Sequence, residues 1–198
     1  MSGLLLTGFD AFGGVSRNPS QDIVESLAGS SSTVTAQVLP TAYRRSFAAL
    51  LERMAQHQPE SILMLGVAPG LACCRLELQA ANRLCTRKAD NDGFIPEEMM
   101  IDGDAPLTLA TRLDVYQLHH DLGKRGVAVT LSQDCGNYVC NALYFRVLRY
   151  LRLHGLNSKA LFVHVPNIYD GAEDENSLQR LCALQNEIAQ IITLLGGD

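Results

Sequence analysis

The stretch VAVTLSQDCGNYVCNALYFRVLRYLRLHG, residues 127–155, changes character partway along. Its first six residues form a short apolar run of strand length. From Tyr138 to Leu153 apolar residues recur at helical spacing, and Gly155 supplies the usual glycine stop. A strand, a short loop and a helix follow one another, and the same unit recurs outward in both directions. The spacing predicts strands over 3–7, 34–39, 61–65, 75–81, 127–132 and 160–165. It predicts helices over 19–27, 43–56, 107–124, 138–153 and 177–195. Asn18 before Pro19 is an N-cap followed by a proline at the first helical position. Strand–helix alternation implies an α/β fold, a three-layer α/β/α sandwich around a largely parallel central sheet. Ligands of such sheets bind beyond the carboxyl ends of the strands. The loops GFDAFGG, GVAPG, DCGNYVC and VPNIYD are therefore where a site is expected.

A chain of 198 residues with 47% apolar and 19% charged residues has the size and balance of one globular domain, residues 1–198. A net charge of -5, with no basic block, disfavours nucleic acid as a partner. The longest apolar runs, LLLTGF and ILMLGVA, fall far short of the roughly 20 residues of a membrane span, so no membrane partner is expected. MSGLLLTGFD has no positive leader region, and a cytoplasmic location is the expectation. Six cysteines in that compartment read as free thiols. Residues 83–106 lose periodicity and form a polar, Gly- and Pro-containing loop, a length that marks function or mobility.

Cys140 falls in the first turn of the helix after the strand VAVTLS. A helix N-terminus favours the thiolate and hence a nucleophile. A small residue packing the strand–helix junction is the competing reading. No C-x-x-C occurs, which argues against a zinc site. Cys182 reads as a core residue of the last helix, and Cys135 as either a second thiol at the site or the filler of a tight turn. A thiol nucleophile needs a base. Of five histidines, only His164 lies on an apolar strand, at its carboxyl end in ALFVHVP, where it needs a polar partner. Glu77 is similarly out of place in the strand-like CRLELQAAN and, if buried, must be paired. Cys140, His164 and Glu77 thus supply a nucleophile, a base and an orienting acid. Phe9 and Phe12, in the loop after the first strand, suit an apolar pocket wall or the end of the core. TGFDAFGG lacks the Lys and Ser/Thr of a P-loop, and its glycine spacing misses G-x-G-x-x-G, so a nucleotide site is weakly supported. The acidic run AEDEN reads as the loop before the last helix.

Five ordered blocks together resemble the pyroglutamyl-peptidase I family: LLLTGFDAFGG with NPS, LELQAANR, RKADNDG, GNYVCN and FVHVP. The resemblance covers nearly the whole chain. It implies an α/β/α fold and a cysteine peptidase that releases the N-terminal pyroglutamyl residue from peptides, with no metal or cofactor. Cys140 then matches the nucleophile, His164 the general base, Glu77 its orienting acid and Arg87 the arginine near the oxyanion. Phe9, Phe12, Tyr138 and Val139 match positions lining the pyrrolidone pocket. Cys135 stands where the family usually has a small residue, often Ala. The resemblance also leaves room for a homo-oligomer, since members include monomers and tetramers. The alternative is a catalytically degenerate member that binds a small ligand.

Overall fold

The computed structural model describes residues 3–169 and 175–196. Part of the acidic run, residues 172–174, lies outside them. A six-stranded sheet has the order β2-β1-β3-β8-β4-β7. Its strands are β1 (Leu4–Phe9), β2 (Val34–Leu39), β3 (Ser61–Ala68), β4 (Cys74–Glu77), β7 (Val129–Ser132) and β8 (Lys159–Pro166). All its pairings are parallel except β4 with β8. A small antiparallel ribbon joins β5 (Gln79–Ala81) to β6 (Thr108–Ala110).

Alternate residues of each strand enter two separate cores. Leu4, Leu6, Leu63, Leu65, Leu161 and Val163 pack with buried residues of α1 (Pro19–Leu27), α3 (Val115–Lys124) and α5 (Glu175–Leu194). Leu5, Ile62, Met64, Ala160 and Phe162 pack with α2 (Arg45–His57) and α4 (Val139–Leu153) on the other side. That is the α/β/α sandwich expected from the alternation. Its apolar strands are buried on both faces, as parallel sheets require.

Asn18 caps α1 as expected: its Oδ1 accepts the Ser20 N–H at 3.0 Å, and Pro19 opens the helix. Two expected elements are divided. The single strand over 75–81 breaks at Leu78, because the chain leaves β8 and re-pairs with β6, Gln79 opposite Ala110 and Ala81 opposite Thr108. The helix over 107–124 begins only at Val115, where the Asp114 carboxylate accepts the Gln117 N–H at 2.9 Å. The residues before it, Thr108–Ala110, alternate exposed, buried, exposed and belong to β6. Cys182, expected in the core, is exposed on α5.

Residues 83–106 carry no regular element, yet two buried side chains tie them down. Asn82 Oδ1 accepts the N–H groups of Ile101 and Asp102, and its amide donates to Asp102 O at 2.7 Å. Asp90 accepts the N–H groups of Tyr43, Asp92 and Phe94. The loop is thereby strapped across the helix side of the sheet that carries α2 and α4.

Candidate active site

β8 and β4 lie side by side and antiparallel, with His164 opposite Arg75 and Phe162 opposite Glu77. Cys74 and Leu76 face the core under α1, α3 and α5. Strand alternation therefore turns Arg75 and Glu77 to the opposite face. Phe162 belongs to the core under α2 and α4, and His164, two residues on, shares its face with ring centroids 4.9 Å apart. The period of two thus brings a histidine, a glutamate and an arginine together from two short strands.

Glu77 is fully buried, and His164 is 5% exposed. His164 Nδ1 lies 2.7 Å from Glu77 Oε1. An ionised carboxylate only accepts, so Nδ1 carries the proton and Nε2 is left as the acceptor. Arg75 Nε donates to the same Oε1 at 2.8 Å. The guanidinium supplies the counter-charge that a buried carboxylate demands. Sequence reasoning missed Arg75, although the signal was present: R-x-E in a strand puts both side chains on one face.

Cys140 is the second residue of α4, whose N-cap is Tyr138. It reaches the sheet at Gly66, which lies in register with His164 on the neighbouring strand β3. A Cβ built on Gly66 would lie 2.9 Å from Cys140 Sγ and 2.8 Å from Phe162 Cζ. Only a glycine leaves room for the thiol at this point of the sheet. The loop GVAPG flagged the region, but its role as a gap for sulfur was invisible in the sequence.

The expectation of a lowered thiol pKa does not hold at rest. Burial pushes Cys140 up to about 12, and nearby Glu77 adds to the rise. Its own backbone N–H and Lys88 pull the other way without winning. The helix N-terminus is thus outweighed by loss of water, and the resting group is a thiol that needs a base. Cys135 is 4% exposed, and burial pushes its thiol well above the usual range. Its sulfur joins His164 and Glu77 in a cluster whose donor atoms all lie within 4.8 Å of one another.

The expected pocket residues divide into two groups. Phe9 and Val139 are buried in the core under α2 and α4, Phe9 with its ring 6.5 Å from Phe162. Phe12 and Tyr138 are half-buried, 6.1 Å apart between ring centroids. Tyr138 donates its hydroxyl to Ala89 O at 2.7 Å and meets Tyr43 edge-on at 5.6 Å. The strapped loop thus docks on the same aromatic wall. Arg87 is exposed and makes no hydrogen bond or ion pair among the described residues. The cation over the wall is its neighbour Lys88, whose Nζ lies 4.6 Å from the Tyr138 ring centroid and 5.1 Å from that of Phe12. Lys88 was not singled out in the sequence.

Asn141, directly after Cys140, also escaped notice. It is fully buried, accepts the Ala81 N–H at 2.9 Å, and donates to Ala81 O at 2.8 Å and Arg83 O at 3.0 Å. Its amide imitates a strand and fastens the start of α4 to the chain leaving β5.

The chain is similar in sequence and fold to several known proteins. The chain is 34% identical to the pyrrolidone-carboxylate peptidase of Thermococcus litoralis over 84% of its own length and 77% of the relative's. It is 33% identical to that of Bacillus mycoides over 88% and 82%. Its fold matches the crystal structure of pyrrolidone carboxyl peptidase from Fervidobacterium islandicum with a TM-score of 0.88 at 30% identity, covering 99% of both chains. The pyroglutamyl peptidase I of Bacillus amyloliquefaciens matches with a TM-score of 0.87 at 28% identity, over 98% of this chain and 94% of the other. The family model described as pyroglutamyl peptidase matches residues 2–193, and the chain belongs to the pyroglutamyl peptidase family.

Proposed function

We propose that this protein is a cysteine peptidase that hydrolyses the N-terminal pyroglutamyl residue from peptides in the cytosol, its 198 residues acting as one domain. The observation that carries this reading is the buried His164–Glu77 pair on β8 and β4, one strand from the gap at Gly66 that receives the Cys140 thiol. The lactam ring lies against Phe12 and Tyr138, with Phe9 and Val139 behind them. A blocked amino terminus carries no charge and suits such a wall, whereas a free ammonium would be desolvated unpaired.

His164 Nε2 takes the Cys140 proton as sulfur attacks the pyroglutamyl carbonyl. Because the resting thiol is neutral, proton transfer accompanies attack. Glu77 holds the imidazole in the required tautomer and stabilises the imidazolium that forms. The Cys140 backbone N–H and the Arg87 guanidinium receive the oxyanion, each contributing on the order of a few kcal/mol. The tetrahedral intermediate expels the peptide amine, which takes the proton from His164. Water then attacks the thioester with His164 again as base, which returns the proton to sulfur. None of these steps calls for a metal or cofactor.

The test is release of a fluorescent amine from a pyroglutamyl amide under reducing conditions. Turnover is expected in the wild type, to be abolished in Cys140→Ser and to survive in Cys135→Ala. Folded, reduced protein without turnover would favour a ligand-binding family member. Turnover surviving in Cys140→Ser but lost in Cys135→Ala would transfer the nucleophile to Cys135. Arg87→Ala is expected to lower kcat about 100-fold, as loss of one oxyanion donor does. Lys88→Ala should act mainly on KM, through the aromatic wall.

A further inference from the structure

The Cys135 thiol has no part in the proposed reaction, yet it is buried against the base and its orienting acid. Cys135, His164 and Glu77 each offer a donor atom, and the three lie within 4.8 Å of one another. One sulfur, one imidazole nitrogen and one carboxylate oxygen form a donor set suited to zinc-class ions. The second carboxylate oxygen, Glu77 Oε2, is buried and has no hydrogen-bond partner among the described residues, while Oε1 serves both Arg75 and His164. A fully buried carboxylate oxygen without a donor is costly, and a cation would satisfy it.

We propose that Cys135, His164 and Glu77 bind a soft divalent transition ion of the zinc class, and that occupancy silences the peptidase. Zinc–ligand bonds of about 2.0–2.3 Å place tetrahedral donors about 3.3–3.8 Å apart, so a pair at the 4.8 Å limit needs to close by about 1.0–1.5 Å, while His164 Nδ1 and Glu77 Oε1, at 2.7 Å, need to open by about 0.6 Å where both bind. The loop carrying Cys135 is already shaped for its position. The Asp134 carboxylate accepts the Gly136 N–H at 2.9 Å and pairs with Arg83, and Gly136 takes a φ of 82° that few other residues adopt. On binding, the Cys135 S–H bond breaks, sulfur coordinates the ion and the proton leaves to solvent; the imidazole coordinates through an unprotonated nitrogen, either Nε2 directly or Nδ1 after its proton has moved to Nε2 by exchange with solvent. The fourth position stays open toward Cys140 or water. The bound ion engages His164 and Glu77, so the imidazole can no longer serve Cys140. The silencing rests on the assignment of His164 as base; the binding does not.

Cobalt(II) reports on such a site through thiolate-to-metal charge-transfer absorption. Reduced wild type and Cys140→Ser should both show that band on titration with cobalt, and Cys135→Ala and Cys135→Ser should both lack it. In the turnover assay, Cys135→Ala should need on the order of tenfold or more zinc than wild type for half-inhibition. Absence of the band in the wild type, its persistence in both Cys135 variants, or equal zinc sensitivity of Cys135→Ala and wild type would each overturn the proposal. A band that depends on Cys135 in a protein without pyroglutamyl turnover would uphold the metal site while removing the peptidase reading.

Discussion

Gly66 and Cys140 occupy one shared gap: a Cβ on the glycine would lie 2.9 Å from the sulfur. The same methyl would press on the buried Phe162 ring. Gly66→Ala should therefore displace the thiol as well as strain the sheet. We expect a loss of about 1–3 kcal/mol in stability, as overpacking costs. A misplacement near 1 Å at the nucleophile should lower kcat about 100-fold. Urea unfolding and turnover of the same preparation check both. Full activity in the variant would mean that the gap is not what positions Cys140.

Glu77 holds two cationic or cation-forming partners on one oxygen. Glu77→Gln keeps the shape and removes the charge, leaving Arg75 without its counter-ion and His164 free to adopt the wrong tautomer. A fall in kcat of about 1,000-fold or more is expected, with a smaller change in KM. Stability should also drop by about 1–3 kcal/mol, because the half-buried guanidinium loses a charged acceptor. Steady-state kinetics with a thermal melt separates the two effects.

Asn141 is a positioning residue rather than a catalytic one. Asn141→Ala leaves the Ala81 N–H and C=O and the Arg83 C=O without their buried partner. A destabilisation of about 3 kcal/mol follows from unsatisfied backbone groups. Hydrogen exchange should show the Ala81 amide losing protection. Unchanged protection there would remove Asn141 from the account.

Alkaline pH should weaken the fold through its desolvated thiols. For Cys140 the folded value of about 12 lies above the ordinary 9.0, so between the two the native state holds a proton that the unfolded chain has lost. Its contribution is complete below about pH 9 and disappears as pH rises toward 12. Cys135 and Cys74, both raised by burial, act in the same direction. Melting temperature should fall across that window, less steeply in Cys140→Ala than in the wild type.

The sandwich itself was legible in the chain. Runs such as LLLTGF and ILMLGVA read as strands because a parallel sheet buries both of its faces, and amphipathic runs between them read as covering helices. His164 and Glu77 stood out as polar groups in strands whose pattern calls for apolar ones, and Cys140 as a thiol in the first turn of a helix that follows a strand. The resemblance of five ordered blocks then assigned them chemistry.

Other features depended on residues far apart in sequence meeting in space. Whether 75–81 is one strand or two depended on pairing with 108–110, since a strand is defined by its partner. His164 became the partner of Glu77 only through the antiparallel register of β4 on β8. Gly66 looked like any loop-flanking glycine until α4 brought a sulfur against it. The helix position of Cys140 suggested an acidic thiol, but burial, a property of the packed molecule, reversed the sign. Local pattern and chemical type determined what each residue could do, because hydrophobic periodicity and side-chain chemistry are written in the chain. Register, burial and close approach decided what each one faces, because those depend on tertiary packing.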